Sequence, residues 1–203
     1  MKYIKTLAGC IDIWYDSCDY PENTIKFVEN ICNDPERDKV NWLPAQYMGD
    51  DENQRNCDYL NLTALYRNTL NPIMHKVYED FNLAVTDATE EYMKRYSIRE
   101  NCYNNSSYQM IRYREGGEYP NHYDGPTETG RHISVIQYLN DDYEGGELIF
   151  PLHNIWIKPV TGMLVMFPSS WAYQHMAQPV SNGTKYANVT WLHDRENVNE
   201  SSN

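Results

Sequence analysis

The chain has 203 residues, 41% of them hydrophobic and 13% aromatic, with 18 tyrosines and a formal charge of −12 at pH 7. That size and apolar content predict one domain around one sizeable core, and the acidic balance argues against nucleic acid as a general partner, because a phosphate backbone repels it. No apolar run approaches the ~18 residues of a membrane span, the N-terminus lacks the long apolar core of a secretory leader, and the five cysteines show no CxxC spacing; the expectation is a reduced, cytoplasmic protein with no membrane partner.

Taken in chain order, residues 1–105 read as a mostly helical supporting region. "PENTIKFVENIC" sets Ile25, Phe27, Val28 and Ile31 roughly on one helical face. The polar run "GDDENQRNCD" reads as loop. The strongest helix follows in "NPIMHKVYEDFNLAVTDATEEYMKRYS", with Asn71 placed to cap it and Pro72 at its first position. Ile73, Val77, Phe81, Ala84, Ala88 and Tyr92 predict its apolar stripe. Lys94 and Arg95 fall where a helix dipole favours cations.

From residue 106 to 195 the texture is short β-like runs separated by turn residues. The runs are "SSYQMIRY", "RHISVIQYL", "GELIF", "NIWIK", "GMLVMF", "YQHMAQPV" and "TKYANVTWLH", with a short piece around His122. No long helix interrupts them, so the sheets should be antiparallel. The expected fold is α+β, a mostly β core of jelly-roll or barrel type with helical support. Residues 196–203 read as a frayed tail.

Within "EYPNHYDGP", alternation along a strand puts His122 and Asp124 on one face and turns Tyr123 away. An imidazole and a carboxylate on one face are two parts of a 2-His-1-carboxylate site, which leaves coordination positions open on Fe(II). His175 is the best candidate for the third ligand. By itself HxD also describes a surface histidine beside a turn aspartate. His75, His132, His153 and His193 have no spacing that recommends them and read as structural or solvent-facing.

The order of motifs sharpens the reading. "YQMIRYREGGEYPNHYD", "RHISVIQYLNDDYEGGELIFP", "KPVTGMLVMFP" and "HMAQPVSNGTKYANVTWL" follow one another over roughly residues 106 to 193. In these the chain resembles the Fe(II)- and 2-oxoglutarate-dependent dioxygenases, in their prolyl 4-hydroxylase-like branch. The resemblance implies a double-stranded β-helix, a distorted jelly roll, packed against the N-terminal helices. It implies that His122, Asp124 and His175 hold Fe(II), and that Lys185 meets the far carboxylate of 2-oxoglutarate. It assigns Tyr113 and Tyr138 to the same co-substrate, and Arg131, Tyr119 and Trp191 to the substrate.

The implied reaction hydroxylates a C–H bond with dioxygen and releases succinate and carbon dioxide, with ascorbate as reductant. The implied partner is a proline-containing peptide or protein, lying under a mobile loop at residues 114–130. A free amino acid or small metabolite as substrate, or an inactive jelly roll that only binds, stays open. Repair of nucleobases fits poorly, because the expected arginine pair after the distal histidine is missing.

Each residue also has an ordinary structural reading. Lysines on strands are commonly solvated; Trp191, Tyr113 and Tyr138 would serve as core. Alternation puts Lys185, Ala187, Val189 and Trp191 on one face. It puts Arg131 and Tyr138 on opposite faces, unless Arg131 precedes the strand or a β-bulge intervenes.

Overall fold

Two hydrophobic periods divide the chain, and each builds its own layer. The structure, a computed structural model, describes residues 1–19, 21–33, 41–45, 55–68, 72–98, 104–105, 107–125 and 130–193. The 3.6-residue period gives helices α1 (Pro21–Cys32), α2 (Leu62–Asn68) and α3 (Pro72–Arg95). The buried face of α3 is Met74, Val77, Phe81, Ala84, Val85, Ala88 and Tyr92. Ile73 departs from the predicted stripe: it is exposed, and Met74 takes the inward position. Pro72 is the first helical residue as expected, while Asn71 lies outside the described residues. Arg95 does more than meet a helix dipole. Its Nε lies 3.1 Å from the buried Asp12 carboxylate and its Nη2 2.8 Å from Glu91, pinning the end of α3 to the N-terminal strands.

The period-2 runs give the β elements. In the first half lie β1 (Lys2–Leu7), β2 (Ile11–Tyr15), β3 (Leu43–Pro44), β4 (Asp58–Asn61) and β5 (Asn104–Asn105). In the second half lie β6 (Gln109–Tyr113), β7 (Tyr119–His122), β8 (Arg131–Tyr138), β9 (Glu144–Gly145) and β10 (Leu148–Phe150). They continue through β11 (Ile155–Ile157), β12 (Leu164–Pro168), β13 (His175–Ala177), β14 (Val180–Asn182) and β15 (Lys185–His193). A nine-stranded sheet runs β1-β2-β12-β8-β15-β6-β4-β3, with β5 on β15. A four-stranded sheet runs β11-β10-β13-β7, and β14 pairs with β9. Among the described residues all strand pairings are antiparallel. The two facing sheets with outer helices form the expected distorted jelly roll.

The region before residue 105 is therefore not simply helical. β1 and β2 extend the large sheet beyond β12, and β4 pairs with β6. The signal in "IDIWY" is its β-branched and aromatic content, and its first four residues are buried. The supposed loop at 114–130 also contains a strand, β7; residues 126–129 of it, and the tail 196–203, lie outside the described residues.

Alternation distributes the large sheet between two cores. Leu164 and Met166 of β12 and Ile133 and Val135 of β8 face the helices, with Phe81 and Tyr92. Val165 and Phe167 face the small sheet with Tyr138, Leu148 and Phe150. Each such buried side chain contributes about 1.5–3 kcal/mol relative to exposure. On the edge, Arg112 joins Glu29 of α1 and Asp58 of β4 at 2.8 Å each, fixing the helical layer to β6. Among the described residues no helix is long and apolar enough to cross a membrane.

Candidate active site

Between the sheets lies a cavity of about 540 Å³ that reaches His122, Asp124 and His175 at one place and Lys185 at another. β7 and β13 are register partners, with His122 directly opposite His175. Their rings lie 4.3 Å apart. Asp124 follows β7, and its Oδ1 and Oδ2 sit 3.6 Å from His122 Nε2 and 3.5 Å from His175 Nε2. One ligand atom from each of the three falls within 4.8 Å of the others.

The turn that aims Asp124 depends on Gly125. Its N–H donates to the Ser169 carbonyl at 3.0 Å. A Cβ there would stand 2.6 Å from the Arg131 carbonyl oxygen, so any side chain would displace the neighbouring aspartate. Ser134 Oγ donates to Asp124 Oδ2 at 2.6 Å and is itself joined to Ser169 Oγ at 2.8 Å.

The donor set fits a divalent cation. A carbonyl oxygen only accepts, so His122 Nδ1 donates to the Pro120 carbonyl at 2.8 Å and His175 Nδ1 to the Tyr173 carbonyl at 3.2 Å. Each Nε2 then carries a free lone pair toward Asp124, as a metal-binding histidine requires. Burial alone would raise the Asp124 carboxyl, but His175, His122 and the Ser134 hydroxyl hold it well below the usual carboxylate range. Burial, aided by His122, pushes His175 down to about 4. Both shifts favour a carboxylate beside a neutral imidazole, the forms that coordinate a metal.

Away from this cluster, β15 sends Lys185, Ala187, Val189 and Trp191 into the cavity, as alternation predicts. Lys185 is 2% exposed and its Nζ donates to the Gly146 carbonyl at 2.6 Å. The Tyr113 and Tyr138 ring centroids each lie 5.2 Å away. Burial pushes Lys185 down to about 7, although Glu147 and Cys57 oppose the shift. An ammonium so placed fits a carboxylate that comes with a ligand. Gly146 holds φ +67°, and a Cβ there would press on Lys185 Cδ at 3.2 Å; the "GG" turn thus shapes the lysine's seat.

Arg131 and Tyr138 both line the cavity, and a bulge resolves their conflict. Leu192 pairs with Ile133 but His193 pairs with Arg131, so His132 is the extra residue. Arg131 stacks on Trp191, Cζ 3.9 Å from the ring centroid. Tyr119 stacks on His122 at 3.5 Å. Tyr123, expected to turn away, is 44% exposed but still borders the cavity. His153 bonds the Ala172 carbonyl at 2.8 Å, and the His75 ring lies 4.6 Å from that of Tyr66 in a tilted contact; neither lines the cavity.

Sequence reasoning missed Ser134, Ser169 and Arg55. Ser134 was findable, since it alternates with Ile136 and Tyr138 on the cavity face. Arg55 had no signal inside a polar run read as loop. It lies over the Tyr119 ring at 5.0 Å.

Residues 108–193 match the family model for the 2OG-Fe(II) oxygenase superfamily. A probable prolyl 4-hydroxylase 9 of Arabidopsis thaliana is 29% identical over 119 residues, 44% of this chain and 41% of that protein. Human prolyl 3-hydroxylase 2 is 35% identical over 72 residues, 33% of this chain and 10% of that protein. The chain thus spans less than half the length of these curated relatives. Among solved structures, a Trichoplax adhaerens prolyl hydroxylase in complex with a hypoxia inducible factor peptide superposes with TM-score 0.68 at 19% identity, covering 93% of this chain and 86% of that one. The fold is shared over nearly the whole length.

Proposed function

We propose, from the match of residues 108–193 to the 2OG-Fe(II) oxygenase superfamily model and the likeness to prolyl hydroxylase relatives, that this protein is a dioxygenase that hydroxylates proline in a peptide or protein. The observation that carries the reading is one cavity holding a His-Asp-His cluster and, separately, a buried lysine. Its residues 106–195 would be the catalytic core and residues 1–105 the support.

In this reading His122, Asp124 and His175 would hold Fe(II), with Asp124 as the anionic ligand. Fe(II) held there would supply the oxidative chemistry of the family, in which one oxygen atom of dioxygen ends in succinate as carbon dioxide leaves and the other enters the substrate C–H bond. The protein's own work is positional and electrostatic. Pro120 and Tyr173 fix the histidine rings through their carbonyls, and Ser134 fixes the carboxylate. Lys185 would pair with the far carboxylate of 2-oxoglutarate, and the Tyr113 and Tyr138 rings, 5.2 Å from its Nζ, would shield that charge from water. Tyr119, Arg131 and Trp191 border the space left for substrate. Ascorbate would act from solution, keeping the iron ferrous between turnovers.

The test is succinate formation from 2-oxoglutarate after anaerobic loading with Fe(II), then aeration with ascorbate, with and without a proline-rich peptide. Peptide-stimulated turnover that disappears in His122→Ala is the expected result. Turnover indifferent to the peptide would keep the oxygenase and reject the proline substrate.

A further inference from the structure

Among the described residues, three cationic side chains line the cavity, Arg55, Arg131 and Lys185, against one carboxylate, Asp124. This lies inside a chain whose formal charge is −12, so the positive interior is a local construction. In the reaction proposed above, the two charges of Fe(II) are met by Asp124 and one carboxylate of 2-oxoglutarate. The other carboxylate meets Lys185. The two guanidiniums are left over.

Among the described residues neither guanidinium forms an ion pair with a carboxylate, and each leaves its Nε unsatisfied. Among the described residues Arg131 hydrogen-bonds only the main-chain carbonyl of Asp124, at 3.4 Å; the Asp124 carboxylate, already engaged by both histidines and Ser134, favours its charge, and its Nε is buried with no hydrogen-bond partner. Arg55 faces the phenols of Tyr113 and Tyr119 and the Cys57 thiol, and its Nε is likewise buried and unpartnered. The two are close enough for the charge of Arg55 to act against that of Arg131. Each is backed by an aromatic face, Tyr119 for Arg55 and Trp191 for Arg131, which holds the planar group without neutralising it. They also come from different parts of the chain, Arg55 from the segment before β4 and Arg131 from the bulge opening β8. Bringing two unneutralised guanidiniums to one cavity costs stability that an anion between them would recover. A guanidinium fork matches a carboxylate in shape as well as in charge.

We infer that the primary substrate carries a carboxylate of its own, bound between Arg55 and Arg131. The inference rests on the oxygenase reading and narrows its substrate class. The carboxylate is either an acidic side chain next to the target residue or the free carboxylate of a C-terminal or single amino acid.

The test uses the full chain loaded with Mn(II) and 2-oxoglutarate under argon, with affinities taken by calorimetry. Three short peptides share one proline-containing core. The first is neutral with an amidated C-terminus, the second carries glutamate beside the proline and is amidated, and the third ends on proline with a free carboxylate. At least one charged peptide should bind about tenfold or more tighter than the neutral one, and which one does identifies the source. The preference should shrink with added salt and fall toward one in Arg55→Gln and in Arg131→Gln, while Arg55→Lys keeps part of it. Equal affinity in the three arms, no binding in any arm, or a preference that survives both glutamine variants overturns the inference. Stabilisation of the unmutated chain by Mn(II) with 2-oxoglutarate is measured alongside. Its absence would defeat the oxygenase reading instead, so the two failures are distinct.

Discussion

The His-Asp-His cluster and the seat of Lys185 share a cavity but are built on opposite logic. In the cluster, both histidine Nδ1 atoms and Asp124 Oδ2 have hydrogen-bond partners, and the remaining lone pairs converge. Hydrogen bonds fix that geometry before any metal arrives. At the other seat, a lysine is buried with one carbonyl to donate to and two rings beside it. Burial pushes its pKa down to about 7, so the ligand-free fold bears a cost there. One place is preorganised for the metal proposed there; the other is in deficit until the carboxylate proposed for it comes.

The contrast is broken most severely by removing a metal ligand. Asp124→Asn or His175→Ala should weaken Mn(II) binding on the order of a hundredfold or more, beyond the effect of losing an outer hydrogen bond, as read by metal titration. Neither change should weaken the outer core, so Tm without metal should fall by only a few degrees.

Next in size is Lys185→Met. Truncating one partner of a buried charge pair should weaken 2-oxoglutarate binding by about a hundredfold. Tm of the ligand-free chain should hold or rise, because an uncompensated ammonium is gone. A large fall in ligand-free Tm would mean that the lysine stabilises the empty fold.

A pH series then sharpens the same point. Lys185 is lowered from 10.5 to about 7, so the folded state holds fewer protons than the unfolded one between those values. The burial penalty is full below pH 7 and fades as pH rises toward 10.5. A dicarboxylate binds the protonated lysine, so 2-oxoglutarate affinity should fall about fifteenfold between pH 7 and pH 8.5, with proton uptake on binding. Lys185→Arg should flatten that dependence.

The smallest expected effect is that of Ser134→Ala. The loss of its bond to Asp124 should cost about tenfold in metal affinity, with little change at the lysine seat.

Much of this was legible in the sequence because period-2 alternation is rigid. Residue spacing alone set His122 with Asp124, and Lys185 with Trp191, on shared faces. Applied strictly, the same rule puts Arg131 on the wrong face; the bulge allowed for there is what the structure shows, where a single extra residue, His132, reverses the face of everything beyond it. It also passed over Ser134, whose hydroxyl matters only because Asp124 ends up 2.6 Å away. Helical periodicity found α3 but put Ile73 inward where Met74 is, since the first turn of a helix is set by where it docks. Arg55 was invisible, because its place at the cavity follows the pairing of the neighbouring β4 with β6, a long-range contact that no local pattern encodes.

The central claim is that one cavity binds a metal and 2-oxoglutarate as a linked pair, and thermal denaturation under argon tests it most directly. The chain would be compared alone, with Mn(II), with 2-oxoglutarate, and with both. The account predicts that the two together raise Tm by more than the sum of their separate effects, because the keto acid binds the metal as well as Lys185, and that Asp124→Asn removes the excess. An equal 2-oxoglutarate shift with and without metal, or no shift in any condition, would contradict it.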